Sequence, residues 1–321
     1  MRGSAEVQLR KQSAAASCIL PLFVHSETPT FRLIQSTLSK MSLFMDPYAE
    51  NMQRDSTEAQ RLDEQFALLT ENIGYLLHPS VRDKMHPHAR VADIATGTAA
   101  FLRYLAHDWP DAILHGFDIS TSLYPPARTL PNNVTLHVLD ARKDVPVNLY
   151  GQYDIVHIRL IAAGLTASEW GRTVRNLAKL LKPGGAMQWE ECDFTNVRHF
   201  PGSATSTTDA ASAMGFTFMT AMRPRFKLGW NRLATEMRNA GLVEVHTEAV
   251  SADRVYDTRT RLTANGMRAM FAWARLHSAR GSPGALHMWQ IDELEQRAYA
   301  DIQSGCYVTF DIHVAWGFRP E

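Results

Sequence analysis

Between residues 90 and 190, short apolar runs alternate with stretches of helical spacing, and this alternation restricts the fold more than any other feature of the chain. The runs at 90–94, 113–119, 135–139 and 153–159 read as strands. Helical spacing follows the first at 101–108. It returns at 173–181, where Val174, Leu177, Leu180 and Leu181 share a face before Lys182-Pro183-Gly184-Gly185 stops the helix. A further strand, 186–190, leaves that turn. Repeated alternation of this kind predicts an α/β fold with a mostly parallel sheet and helices on both faces.

Ahead of this region Leu62, Phe66, Leu69, Ile73 and Leu76 recur at spacings of three or four, which predicts an amphipathic helix over 56–77 as an N-terminal cover. Behind it, 233–240 predicts a helix closed by Gly241, 243–249 a strand, and 307–316 a final strand; the last two can pair as an antiparallel edge. Two stretches, 196–230 and 254–305, fall outside the rhythm and read as insertions that build a lid or a substrate pocket. Trp170, Trp189, Phe216, Phe218, Met219, Met222, Met267, Met270, Phe271 and Trp273 suit either a malleable pocket for a flat, hydrophobic substrate or plain core.

Residues 1–44 are rich in Ser, Thr and Ala and carry only two acids, Glu6 and Glu27, so a flexible extension is expected before a single domain over 45–321. The same composition suits a mitochondrial presequence, an expression remnant at 1–4, or a start placed ahead of Met41 or Met45. Lys and Arg total 33, equal to Asp and Glu at 33, so no net field draws the chain to nucleic acid or anionic lipid, and neither is expected as a partner. Cys18, Cys192 and Cys306 lie far apart, which argues against a disulfide framework or a zinc site, and a cytoplasmic location is expected with no bound metal. The longest apolar stretch, 18–24, is much shorter than the roughly 20 residues needed to cross a bilayer.

Small residues crowd the first strand-to-helix junction, Val91-Ala92-Asp93-Ile94-Ala95-Thr96-Gly97-Thr98-Ala99, and let a ligand approach the backbone closely. Similar turns also join strands and helices that bind nothing. Asp118 ends the next run, 21 residues after Gly97, where a carboxylate can accept both ribose hydroxyls of an adenosine cofactor. Asp140 ends the third run, where it can accept from an adenine amino group. Singly, each acid also reads as a solvated strand end or a cap.

This arrangement resembles the class I S-adenosylmethionine (SAM) dependent methyltransferases. Asp93 to Ala99 stands where that family has an acidic residue and a glycine-rich turn, Asp118 at its ribose acid, Asp140 at its adenine-side acid, Tyr153-Asp154-Ile155-Val156-His157 at its fourth strand, and Leu181-Lys182-Pro183-Gly184-Gly185 at the turn before its fifth. More narrowly, Arg61-Leu62-Asp63-Glu64-Gln65, Gly74-Tyr75-Leu76-Leu77-His78-Pro79, Gly116-Phe117-Asp118-Ile119-Ser120 and Pro125-Pro126 resemble fungal methyltransferases of natural-product pathways. The resemblance spans about residues 60 to 318. It implies a Rossmann-like, seven-stranded fold, SAM as cofactor, and transfer of a methyl group to nitrogen, oxygen or sulfur of a small-molecule substrate. Cofactor contacts are expected at Tyr48, Arg61, Asp93, Ala95, Thr96, Gly97, Asp118, Ile119, Asp140, Ala141 and His157. Ala95 and Ala99 replace the first and third glycines, and Ala99 fits without strain if its φ is negative.

Methyl transfer needs an in-line approach in a pocket that excludes water, so a dedicated base is optional. His157, at the end of its strand beside Arg159, is the first candidate for a general base or an acceptor-orienting group; a structural histidine is the alternative. Glu191 follows 186–190 with Glu190 and Asp193 for neighbours, and is the second catalytic candidate if it faces the pocket rather than solvent. Tyr48, Arg61 and Gln65 can close over the methionine end, Arg61 offering two parallel donors to a carboxylate unless it is a plain surface arginine. Two other functions share the fold: a SAM-binding scaffold that catalyses a rearrangement or cyclisation, and a methyltransferase-like regulatory protein that acts through partners. A monomer or homodimer is expected.

Overall fold

Residues 47–321 of the computed structural model are described; the extension expected over 1–44 lies outside the described residues. The cover comes first, as helix α1 (Ser56–Ile73) and a single turn α2 (Pro79–Arg82). Then follow β1 (Arg90–Ile94), α3 (Ala100–Asp108), β2 (Ile113–Asp118), β3 (Val134–Val138), β4 (Tyr153–Arg159), α4 (Trp170–Ala178) and β5 (Leu181–Cys192). The remainder runs β6 (Arg198–Pro201), α5 (Asp209–Phe226), α6 (Leu233–Asn239), β7 (Val243–Ser251), α7 (Arg259–Ala279), α8 (Met288–Gln303), β8 (Cys306–Thr309) and β9 (Asp311–Phe318).

Seven strands form one sheet in the order β3-β2-β1-β4-β5-β9-β7. The first five are parallel, and β9 runs antiparallel to both β5 and β7. The chain leaves β1 toward β2 and β3, then returns to build outward through β4 and β5. The order therefore reverses between β1 and β4, which opens a crevice beyond their carboxyl ends.

Strand periodicity distributes the core. On one face Val91, Leu114 and Ile155 pack under Phe66, Leu69 and Ile73 of α1 and Phe101, Leu102 and Leu105 of α3. On the other, Ala92, Ile94, Val156 and Ile158 pack under Trp170, Val174 and Leu177 of α4 and Leu233 and Met237 of α6. Full burial of each large side chain contributes about 1.5–3 kcal/mol. Helix α1 begins at Asp55, whose carboxylate accepts the Glu58 N–H at 2.8 Å, and stops at Gly74 in the left-handed region, short of the expected residue 77. Among the described residues no helix is long and apolar enough to cross a membrane.

Three expectations change. Lys182-Pro183-Gly184-Gly185 is not a turn ahead of β5 but a bulge inside it: Tyr153 pairs with Leu181 and Ile155 with Ala186, so the residues between loop out, with Gly184 at φ +71°. The expected strand over 307–316 is two strands broken at Phe310, whose ring is drawn into the core against Phe194 while its carbonyl accepts the Ala252 N–H. The two insertions are one unit: β6 pairs with β8, and Ala211 and Met214 of α5 share a core with Met267 and Phe271 of α7 and Ile291 and Ile302 of α8.

A buried polar knot ties the cover to that unit. Arg61 donates to both oxygens of Glu58 at 2.8 and 2.6 Å and to Asn265 of α7 at 3.1 Å, while Asn265 returns a bond to the Arg61 carbonyl at 2.8 Å. Tyr48 adds its hydroxyl to Glu58 at 2.5 Å. Removing one partner of such a pair leaves an uncompensated buried charge, so Glu58→Gln is expected to destabilise the protein by about 3–5 kcal/mol in urea unfolding. A loss under about 1 kcal/mol, the worth of an exposed pair, would contradict this account.

Candidate functional site

The crevice at the β1/β4 reversal is lined from four strand ends: 95–98 after β1, Asp118 and Ile119 at the end of β2, 139–142 after β3, and His157, Arg159, Leu160, Ile161, Gly164 and Leu165 at and beyond the end of β4. Pro47, Tyr48, Arg54, Gln65 and Phe66 cover it. It holds about 1120 Å3 of free space, part of it open to solvent. Tyr48, Asp93, Ala95, Thr96, Gly97, Asp118, Ile119, Asp140, Ala141 and His157 all line it, so the three carboxylates at successive strand ends converge on one cleft.

The turn after β1 owes its shape to an unusual backbone. Ala95, Gly97 and Ala99 have φ of +58°, +53° and +59°. Within the turn the Thr96 N–H is taken by the Phe117 carbonyl and the Ala99 N–H by the Thr96 carbonyl, and the Gly97 N–H is directed at Asp118. One Asp118 oxygen accepts the Gly97 N–H at 3.0 Å, and the other accepts the Ser120 N–H at 3.1 Å and lies 3.5 Å from Arg54. A Cβ at Gly97 would meet no atom within 4 Å. The bare backbone there borders open space, the room a nucleoside needs to lie against the turn. The condition under which Ala99 fits without strain is not met. Its φ is positive, and like Ala95 it carries the cost of an L-residue in the left-handed region, about 1–2 kcal/mol.

Asp140 is gripped by Arg142, whose Nε and Nη2 donate to its two oxygens at 2.8 and 2.9 Å. Burial alone would raise this carboxyl, but the bonds from Arg142 outweigh it and hold the group below the usual carboxylate range.

Beneath the turn lies a buried ladder of alternating charge. Register pairs Asp93 with His157 and Arg159 with Glu190, all on one face. Asp93 accepts from Thr96 at 2.6 Å and meets His157 Nδ1 at 2.7 Å; His157 Nε2 lies 3.6 Å from Glu190; and Glu190 is bonded to Arg159. The His157 ring, 1% exposed, stacks on Phe101 at 3.7 Å. Burial pushes His157 down, yet the bond to Asp93 and the nearby Glu190 carboxylate prevail and raise it. Burial would raise Glu190, but the Arg159 charge and His157 hold it at about 2. His157 thus sits between two carboxylates that favour its charged form. It borders the cleft as expected, and with Nδ1 on Asp93 and its ring on Phe101 it is held as an orienting strut.

Two expected site residues lie elsewhere. Arg61 does not line the cleft, because its guanidinium is committed to Glu58 and Asn265. Glu191, one residue beyond Glu190, projects from the opposite face of β5 by simple alternation; it accepts from Trp189 Nε1 at 2.9 Å and from the Ile161 N–H at 3.0 Å and does not reach the cleft. Of the aromatic and methionine side chains read as pocket or core, none lines the cleft; Trp170, Trp189, Met222, Met267, Met270 and Phe271 are buried core, and Phe216 is exposed. Arg54, Arg142 and residues 160–165 were not anticipated. Only Arg142 carried a readable sign, its position two residues after Asp140.

Residues 91–185 match the methyltransferase domain family. The chain is similar to N-methyltransferase sirN of Leptosphaeria maculans, 30% identical over 227 residues that cover 71% of this chain and 76% of that protein. It is similar to N-methyltransferase tcpN of Claviceps purpurea, 31% identical over 201 residues, 61% and 69% of the two chains. With methyltransferase grgD of a Penicillium species it shares 34% identity over 145 residues, 41% of this chain, and there it spans only half (50%) of the relative's length.

Two outcomes follow from the geometry. Ala95→Gly relieves a left-handed alanine and should stabilise by up to about 1 kcal/mol once the looser unfolded chain is counted, whereas Gly97→Ala should cost about 1–2 kcal/mol; a urea midpoint that falls in Ala95→Gly or rises in Gly97→Ala, at constant slope, would contradict the turn's backbone. The raised His157 adds stability that is complete below its unfolded value near about 6.5 and fades as pH climbs through the higher folded value. The stability gap between the wild type and His157→Gln should therefore narrow above neutral pH; a gap that widens there would show that His157 is buried neutral.

Proposed function

The chain belongs to the SAM-dependent class I methyltransferases, the family of these fungal relatives, and from that premise we propose that it transfers the SAM methyl group to a nitrogen of a small specialised metabolite. One observation carries the reading: Asp118, the Gly97 N–H and Asp140 converge on a single crevice at the carboxyl ends of β1, β2 and β3. Asp118 would accept the ribose hydroxyls, taking over the place Arg54 now holds beside it. Asp140, kept anionic by Arg142, would meet the adenine edge between Leu139 and Ala141. The open space at Gly97 admits the nucleoside against the turn.

SAM supplies a methyl group made electrophilic by its sulfonium. The chain's contribution is placement and exclusion of water. Tyr48 and Phe66 close one side of the cleft, and Leu160, Ile161 and Leu165 wall the end at β4. The carboxylates on either side of His157 favour its protonated form, which cannot take a proton from an acceptor. That favours an acceptor that attacks as a neutral nitrogen and gives its proton to water afterwards, over an aliphatic alcohol that needs deprotonation. The names of two relatives, both N-methyltransferases, agree with this choice. The proposal includes a cytoplasmic monomer or homodimer acting on a free small molecule, in keeping with the balanced charge.

Calorimetry with SAM and S-adenosylhomocysteine tests the site. The wild type is expected to bind both, and Asp118→Ala to weaken binding by about 10–100-fold, the worth of hydrogen bonds to a charged group. Methyl-labelled SAM incubated with nitrogenous metabolites should yield S-adenosylhomocysteine in step with an N-methylated product. No binding at about millimolar cofactor, far weaker than a specific site, would overturn the reading, as would bound SAM that is never converted.

A further inference from the structure

We propose that Glu191 is a positioning residue that works through the sheet: from the face opposite His157 it fastens the turn 160–165, whose other side walls the cleft at the end of β4. The carboxylate never touches the ligand. Glu191 is 1% exposed, and one oxygen accepts both the Ile161 N–H at 3.0 Å and Trp189 Nε1 at 2.9 Å. Leu160, Ile161, Gly164 and Leu165, on the same turn, line the cleft.

The turn needs such an anchor. Leu160 has φ +55°, a conformation that a branched L-residue seldom adopts and that persists only where its surroundings impose it. Its own N–H is held by the Glu190 carbonyl at 2.9 Å, and the next is held by the Glu191 carboxylate. Beyond them the turn is closed by Gly164 N–H to the Ile161 carbonyl at 2.8 Å and Leu165 N–H to the Ala162 carbonyl at 3.2 Å. Adjacent residues of β5 thus do different work: Glu190 completes the charge ladder on one face, and Glu191 ties down the wall from the other.

The electrostatics give this anchor a pH range. Burial pushes Glu191 up to about 7, against the pull of Trp189 and the Ile161 and Ala162 amides, and the charge of Glu190 adds to the rise. Cys192 beside it on β5 and His313, its register partner on β9, are the other titratable groups next to it; residues 160–165 carry none. The bonds from Trp189 and the Ile161 and Ala162 amides favour the ionised carboxylate, so an opening that breaks the amide bonds while Glu191 stays buried raises its pKa further, and by linkage such an opening becomes easier as pH falls through about 7.

That the turn frames the acceptor rests on the methyltransferase reading, but its anchoring does not, and amide hydrogen exchange of the full chain reads the anchoring without any methyl transfer. In Glu191→Leu, amides of 160–165 should exchange at least about tenfold faster than in the wild type, with those of β1 and β2 unchanged. Glu191→Gln keeps an acceptor oxygen and should stay within about threefold. Protection of the wild-type turn, corrected for intrinsic exchange, should drop between about pH 8 and about pH 6, and Glu191→Gln should lose that dependence. Unchanged exchange in Glu191→Leu, or acceleration spread evenly over the sheet, would make Glu191 ordinary core and overturn the proposal. If Glu191→Leu fails to fold, a wild-type turn whose protection ignores pH would overturn it equally.

Discussion

Four buried charges of alternating sign, Asp93, His157, Glu190 and Arg159, bridge three strands just where the sheet changes direction. No one of them is tolerable alone, since desolvating an ion costs several kcal/mol and only a close, well-bonded partner offsets it. Their pairing therefore requires the register that sets Asp93 beside His157 and Arg159 beside Glu190. A slip of one residue would send each charge into the opposite, apolar face. The ladder also fixes what the site can do chemically. It sets the histidine at the end of β4 between two carboxylates that favour its charged form.

Above that floor the fold spends stability to shape a binding surface. Two alanines in left-handed backbone are unfavourable, and they frame the turn at which Gly97 and Asp118 meet. The walls are held from outside the cleft. Arg61 clamps the cover to the inserted helices through Glu58 and Asn265, Arg225 and Arg280 hold Glu50 and its neighbours in the covering segment, and Glu191 grips the turn after β4. Side chains that border the cleft are thus separated from those that position them.

The parallel half of the sheet was readable in the chain because strand and helix periods differ and small residues punctuate each change: β1 and β4 lie at their expected bounds, and the three strand-end aspartates meet as the spacing implied. Other features turned on information the linear pattern lacks. Arg61 looks like a surface arginine until Asn265, far along the chain, is folded against it. Glu190 and Glu191 are chemically alike, and only the pleat sends one to the charge ladder and the other to the far face. The split at Phe310 came from a core that draws one ring out of an otherwise regular alternation. The aromatic insertions offered two readings, and burial against one another, rather than composition, decided for core.

A crystal structure of the protein with S-adenosylhomocysteine tests the central claim most directly. The account requires the adenosyl group in the crevice beyond β1 and β4, its ribose on Asp118 with Arg54 moved aside, its base beside Asp140 and its chain across Gly97. An adenosyl group found elsewhere, or an Asp118 still paired with Arg54 in the complex, would contradict it.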